Sequence, residues 1–259
     1  MNKNRELLES QRVAARIVSD VLKELVSLTK PGAKLSELDA KAERMILERE
    51  AIPVNKGYQP EWAKSPFPAT VCMSVNEEVC HGIPGDRVLQ EGDIITYDLG
   101  VQYRGGCGDA AVTVAVGEIN NRKQRVMRVA KKTLYDAIRT VRAGAPISAV
   151  GKSVEANCLM YGMSTIKEFG GHHIGEKMHE PPFVPNHYYP ENDSVFLEEG
   201  AIICIEPMIT PGTGKAGIAG DNWTILTRDK QPVAMYEHMV LVTKDGYEIL
   251  TDHIDDSPI

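Results

Sequence analysis

Apolar residues recur at helical spacing near the start of the chain. Val13, Ile17, Val21 and Leu25 form one stripe, widened by Ala14, Val18 and Leu22. Pro31-Gly32 predicts the end of that helix. Ser36, with Asp39 three residues on, predicts the N-cap of a second helix carrying Leu38, Ala42, Met45 and Ile46. The same order returns later. Val126, Ala130, Leu134, Ile138 and Val141 make a stripe, Ala143-Gly144 stops it, and Ser148 predicts the cap of a helix carrying Val154 and Cys158. Elsewhere the pattern changes to β-branched runs bounded by glycine turns, at Ile94–Leu99, Ala111–Val116, Ala201–Ile205 and Met239–Thr243. Helix pairs set between strand groups predict an α+β domain with helices packed on an antiparallel sheet.

The recurrence extends to residue identity. Pro31–Leu38 resembles Ala143–Val150 at an offset of 112, and Leu89–Asp98 resembles Leu197–Glu206 at an offset of 108. Glycine turns also recur by chance, but similar offsets in the same order predict two related halves. The expected organisation is one domain over 1–259, with halves of about 1–117 and 118–259.

Composition narrows the class. The chain is 42% apolar and 25% charged, ordinary for a globular protein with its own core. A net charge of −7 argues against a broad nucleic-acid or anionic-membrane surface. Five widely spaced cysteines without a C-x-x-C pair argue against a disulfide framework or thiolate zinc site. The charged start lacks the apolar run of a signal peptide, and no stretch is long and apolar enough for a membrane helix. The expected location is therefore the cytoplasm, with reduced thiols.

The repeat then directs attention to acidic residues. Asp98 and Glu206 end equivalent apolar strands, where an unpaired buried charge would cost several kcal/mol. Asp109 follows Gly105-Gly106-Cys107-Gly108 on the next hairpin arm, and Glu237 precedes an apolar strand. Gly170-Gly171-His172-His173-Ile174-Gly175 sets two histidines among four glycines. Singly, each of these is more often a turn, surface or hydrogen-bonded loop residue. If Asp98, Asp109, His172, Glu206 and Glu237 converge, four carboxylates demand cations, and two divalent ions would balance them. Such a nitrogen-poor donor set suits Mn, Fe(II), Co or Zn.

Five ordered segments carry a family resemblance. Val75–Pro84, the eleven-residue spacing of Asp98 and Asp109, Gly171–Gly175 with His179-Glu180-Pro181, Ile205–Met208, and Tyr236-Glu237-His238 resemble type I methionine aminopeptidases. The resemblance implies a pita-bread fold of two pseudo-symmetric halves with the site between them. It implies two divalent ions (Co, Mn, Fe(II), Zn or Ni). Asp98 would hold one, His172 and Glu206 the other, and Asp109 and Glu237 would bridge both. Glu206 would relay the proton of the attacking water. His179 would hydrogen-bond the substrate carbonyl and His81 the scissile amide region. Tyr58, Cys72 and Trp223 match pocket positions for methionine, and Phe67 adds a wall. The implied substrate is the N-terminal methionine of nascent chains near the ribosome exit, cleaved by a monomer when the second residue is small.

Three positions depart from the family pattern. His173 stands for a usual glycine and could reach substrate or metal, Met178 for an aromatic, and Cys107 for a histidine. The loop from Gln59 to Pro68 is also longer than the usual short turn. Two rivals remain: a proline-directed peptidase of the same fold, normally with an extra N-terminal domain that this chain leaves no room for, and a metal-free binding module, which would have lost ligands.

Overall fold

The computed structural model describes residues 3–252, so both ends of the expected domain lie outside the described residues. Helix α1 spans Lys3–Leu28 and α2 Leu35–Leu47, and α3 and α4 cover Asn121–Ile138 and Ser148–Tyr161. Each pair precedes a group of strands, and all strand pairings among the described residues are antiparallel. The strands divide among several small sheets rather than one. No described helix is long and apolar enough to cross a membrane.

The two halves repeat in their hydrogen bonds. Gly32 N–H donates to Leu89 O at 2.8 Å, and Gly144 N–H to Leu197 O at 2.9 Å. Leu89 N–H returns to Ala33 O, as Leu197 N–H does to Ala145 O. Isolated bridges join Lys34 to Val88 and Pro146 to Phe196. Every partner falls at the 112 or 108 offset seen in the sequence. Gly32 and Gly144 have φ of +90° and +75°, values that a side chain disfavours, which is why the turns share glycine.

Helix α1 seats on the long hairpin of strands Ile94–Tyr103 and Gly106–Ala115 through close backbone approach. A Cβ on Gly106 would lie 2.8 Å from the Gln11 nitrogen, and one on Gly108 2.6 Å from that of Ala15. Gly105 closes the hairpin turn, whereas Gly106, Cys107 and Gly108 are already strand and lead directly to Asp109. The main core runs from Val18, Leu22 and Leu25 of α1 through Ile95, Tyr97 and Leu99 to Ala130 and Leu134 of α3.

Three local expectations need correcting. Val13 is 40% exposed, so the buried stripe of α1 runs through Ala14, Ala15, Ile17 and Val18 instead. Ser36 lies inside α2, whose N-cap is Lys34; Asp39, the other half of the expected motif, accepts from the Thr70 and Val71 N–H groups instead. Ser148 lies inside α4, after the N-cap Ile147, and its hydroxyl donates to Asp193. In both helices the start is met by a backbone carbonyl from a later segment of the same half, not by a serine. Leu35 N–H donates to Arg87 O and Ile147 N–H to Val195 O.

Candidate metal centre and active-site cavity

Sheet register brings the acidic residues together. Asp98 pairs with Ala111 across the hairpin, and Gly100 pairs with Asp109. Cross-strand partners project to one face, so Asp98 and Asp109 are diagonal neighbours there. That register accounts for the eleven-residue spacing. Ala111 is bridged on its other side to Glu237, whose N–H donates to Ala111 O at 2.9 Å. Asp98, Ala111 and Glu237 thus form a row across two paired strands and a bridging residue, with only a methyl group at its centre.

The other half supplies the facing groups. Strand Ile202–Ile205 ends at Glu206, and His238–Val242 pairs with it just beyond Glu237. His172 lies on strand Gly170–His173, so its setting is a strand rather than a glycine loop. A Cβ on Gly171 would fall 1.9 Å from Cys204 O, so only glycine lets that strand lie so near. His172 Nδ1 is 3.0 Å from the His173 carbonyl. A carbonyl only accepts, so Nδ1 carries the proton, and in the neutral ring Nε2 offers its lone pair to the cluster. That Nε2 is 3.5 Å from Asp109 Oδ2 and 3.8 Å from Glu206 Oε1.

One donor atom each from Asp109, His172, Cys204 and Glu237 lies within 4.8 Å of all the others, and all four residues are buried. Asp109 Oδ1 and Glu237 Oε1 are buried with no hydrogen-bond partner. Burial, then mutual repulsion, pushes the carboxyls of Asp98, Glu206 and Glu237 well above the usual range. Orphaned carboxylate oxygens, a lone pair aimed at them and this crowding of negative charge fit a divalent cation.

The cluster floors a cavity of about 550 Å³, lined by every site residue named from the sequence: Tyr58, Phe67, Cys72, His81, Asp98, Asp109, His172, His179, Glu206, Trp223 and Glu237. Phe67 and Trp223 are buried edge to face, 5.1 Å between centroids. With Cys72 they form one small apolar cluster. Tyr58 OH lies 3.1 Å from His179 Nδ1, and the His179 ring is 4.4 Å from that of His172. His179 stands at the mouth with one edge in solvent, yet removal from bulk water and the neighbouring His172 lower it to about 4. His81 is lowered to about 4 by burial first and by His179 second. Its φ of +56° is strained for a residue with a side chain, and its Nδ1 is buried without a partner.

The departures resolve differently. His173 lies outside the cavity lining, and its Nδ1–H donates to Pro182 O at 2.8 Å, tying two strands together. It therefore does not reach into the site. Cys107 is also outside, donating to Glu176 O at 3.4 Å. Met178 does line the cavity and fills the space over Gly100, where a Cβ would meet its terminal carbon at 2.3 Å.

Three residues with a part in the site escape the sequence reading. Cys204 shares a strand face with Glu206, two residues on, and strand alternation alone would have found it. Asn55 donates to Asp98 O at 3.3 Å and accepts from Gly100 N–H at 3.2 Å, clamping the strand beneath Asp98. Nothing in its local sequence marks it. Trp62, in the long loop, stacks on His81, with centroids 5.9 Å apart and planes inclined 24°.

Antiparallel halves that share a buried carboxylate-and-imidazole centre define a pita-bread metallopeptidase. A model of metallopeptidase family M24 matches residues 9–244. Methionine aminopeptidase 1 of Bacillus subtilis is 38% identical over 240 residues, 93% of this chain and 94% of that protein. The methionine aminopeptidase of Aquifex aeolicus is 36% identical over 95% of this chain and 96% of its own. The crystal structure of methionine aminopeptidase from Rickettsia prowazekii superposes with a TM-score of 0.90 at 31% identity, covering 95% and 97% of the two chains. The prolidase of Pyrococcus furiosus shares the fold, with a TM-score of 0.72 at 20% identity, but this chain covers only 64% of it. The chain belongs to metallopeptidase family M24.

Proposed function

We propose that this chain is a single-domain, metal-dependent exopeptidase that removes the N-terminal methionine from peptides and nascent chains whose second residue is small. The observation that carries the reading is one cavity whose lining brings a carboxylate-rich centre together with the aromatic side chains of Tyr58, Phe67 and Trp223. Relatives named methionine aminopeptidase, alike over nearly the whole of both chains, support the same conclusion.

Asp98, Asp109, His172, Glu206 and Glu237 would hold the metal, and two divalent ions rather than one would offset four carboxylates. Co, Mn, Fe(II), Zn and Ni all suit these donors. When bound, such an ion polarises a carbonyl oxygen and lowers the pKa of water within reach to roughly 7. The remaining work falls to the chain itself. Phe67, Trp223, Cys72 and Tyr58 enclose the methionine side chain, and a sulfur–aromatic contact adds roughly 0.3–1.5 kcal/mol beyond burial. Glu206, which lines the cavity beside these donors, takes the proton of the attacking water and passes it to the leaving amine. His179, oriented by Tyr58, donates to the substrate carbonyl, and the unpartnered His81 faces the scissile amide as charge develops. A cytoplasmic monomer acting on chains as they leave the ribosome is the setting this chemistry suits, with neither nucleic acid nor membrane as a partner.

The test is cleavage of Met-Ala-Ser-type peptides by the chelated protein, with and without each divalent ion restored. Metal-dependent release of free methionine is expected. Equal or better cleavage of X-Pro peptides, or inactivity with every ion, would overturn the reading.

A further inference from the structure

The loop between Tyr58 and Phe67 is built as a fixed rim rather than a loose connection. Gly57 N–H donates to Phe67 O at 2.9 Å and Phe67 N–H to Tyr58 O at 2.8 Å, closing its base. Trp223 Nε1–H donates to Ser65 O at 3.1 Å, and Lys64 Nζ to Asn222 Oδ1 at 2.9 Å, fastening its far side. Inside the loop Gln59 Nε2–H donates to Ala63 O, and Ala63 N–H to Pro60 O. This framework presents Trp62, which lines the cavity yet remains 50% exposed. An indole held half in water by so many bonds around it is a surface kept ready for contact.

Its neighbours say what it would contact. Trp62 meets Trp223, a wall of the methionine pocket, edge to face at 5.0 Å. It stacks on His81, whose other sides meet Phe169 and Trp223 at 5.8 and 6.0 Å. The indole thus stands at the solvent-exposed rim of the cavity, against both Trp223 and His81. A peptide with its methionine against Trp223 and its first amide at His81 would carry its second side chain toward the exposed part of Trp62.

We propose that Trp62 is a specificity-determining residue, the wall that limits the size of the second side chain of the peptide. The proposal rests on the aminopeptidase reading above. Small side chains clear the indole, whereas branched or long ones must displace a ring that Trp223 and His81 hold in place.

The experiment compares kcat/KM for Met-Ala-Ser and Met-Val-Ser peptides in the full chain and in Trp62→Ala, Trp62→Leu and Trp62→Phe, each loaded with the same divalent ion. Trp62→Ala is expected to raise the Met-Val to Met-Ala ratio by about tenfold, the scale on which pocket volume discriminates hydrocarbon groups. Trp62→Leu should fall between Ala and Phe. A merely structural role would lower both rates together and leave the ratio unmoved, so an unchanged ratio overturns the proposal. If Trp62→Ala does not fold, the order of Leu, Phe and Trp decides, and absence of a trend with side-chain size overturns it equally. Should the parent chain cleave neither peptide with any ion, the aminopeptidase reading itself fails, a result distinct from cleavage without a change in ratio.

Discussion

The backbone N–H of Glu237 donates to the carbonyl of Ala111 at 2.9 Å, and this bond joins the acidic hairpin of one half to the acidic strand of the other. Ala111 is 2% exposed and sits between Asp98 and Glu237 in the cross-strand row. Its methyl group sets how closely the two carboxylates approach. Ala111→Leu should therefore separate them and overpack the sheet, costing roughly 1–3 kcal/mol of stability. Metal affinity measured by calorimetry should fall at least about tenfold, as when a supporting contact of a metal site is lost. Unchanged affinity would mean that these carboxylates do not share an ion.

Removing the metal should loosen the fold as well as stop turnover. Only the native state gathers these donors, so free ion at about 100 times its dissociation constant stabilises by roughly 2.7 kcal/mol. A melting scan of chelated protein should show a lower midpoint that each effective divalent ion restores. Identical midpoints would separate the acidic cluster from metal binding.

Asn55 holds the strand beneath Asp98 through two hydrogen bonds at once. Asn55→Ala should strand the buried Gly100 N–H, costing about 1–3 kcal/mol. Denaturant midpoints should fall, and metal affinity should weaken with them. Loss of stability with full metal affinity would show that Asn55 supports the strand but not the ligand.

His81 gives a pH signature. Its folded-state value is about 4 against an ordinary 6.5, so between these values the unfolded chain binds more protons than the native one. Stability from this group is complete above about 6.5 and is lost as pH falls toward 4. His81→Gln should flatten the acid limb of a stability-versus-pH curve across that interval. An imidazole that titrates near 6.5 by NMR in the folded protein would contradict the burial argument.

Glu206→Gln keeps shape and volume while removing the proton acceptor. Turnover should fall about 10²–10⁴-fold, the usual worth of a positioned acid–base group, with an unchanged circular dichroism spectrum. Near-normal turnover would remove Glu206 from proton transfer.

Much of the architecture was legible because it is written twice. The 112 and 108 offsets correspond to turns with matching hydrogen bonds, and the stripe from Val126 to Ile138 is buried as its period requires. The acidic residues stood out as charge set against apolar strands, but only Glu206 directly follows one; the strand expected to stop at Asp98 runs on to Tyr103, because its pairing with Gly106–Ala115 continues to the hairpin turn. Local rules failed where tertiary contacts took over. Asp39 caps no helix because two strand N–H groups claim its carboxylate, and Ser148 turns to Asp193. Asn55 and Trp62 were invisible for a related reason: their partners are distant in the chain, and neither lies in a periodic segment. His173 stood close enough to His172 in sequence to reach substrate or metal, but neighbouring residues on a strand face opposite ways, and its ring binds a backbone carbonyl instead.

The rim between Tyr58 and Phe67 is tied at its base and along its far side before any peptide arrives. The loss of freedom on association therefore falls mainly on the incoming chain, and little of the binding energy is diverted into ordering the entrance. Such an opening suits brief encounters with many unrelated peptides, which need share nothing beyond their first two residues.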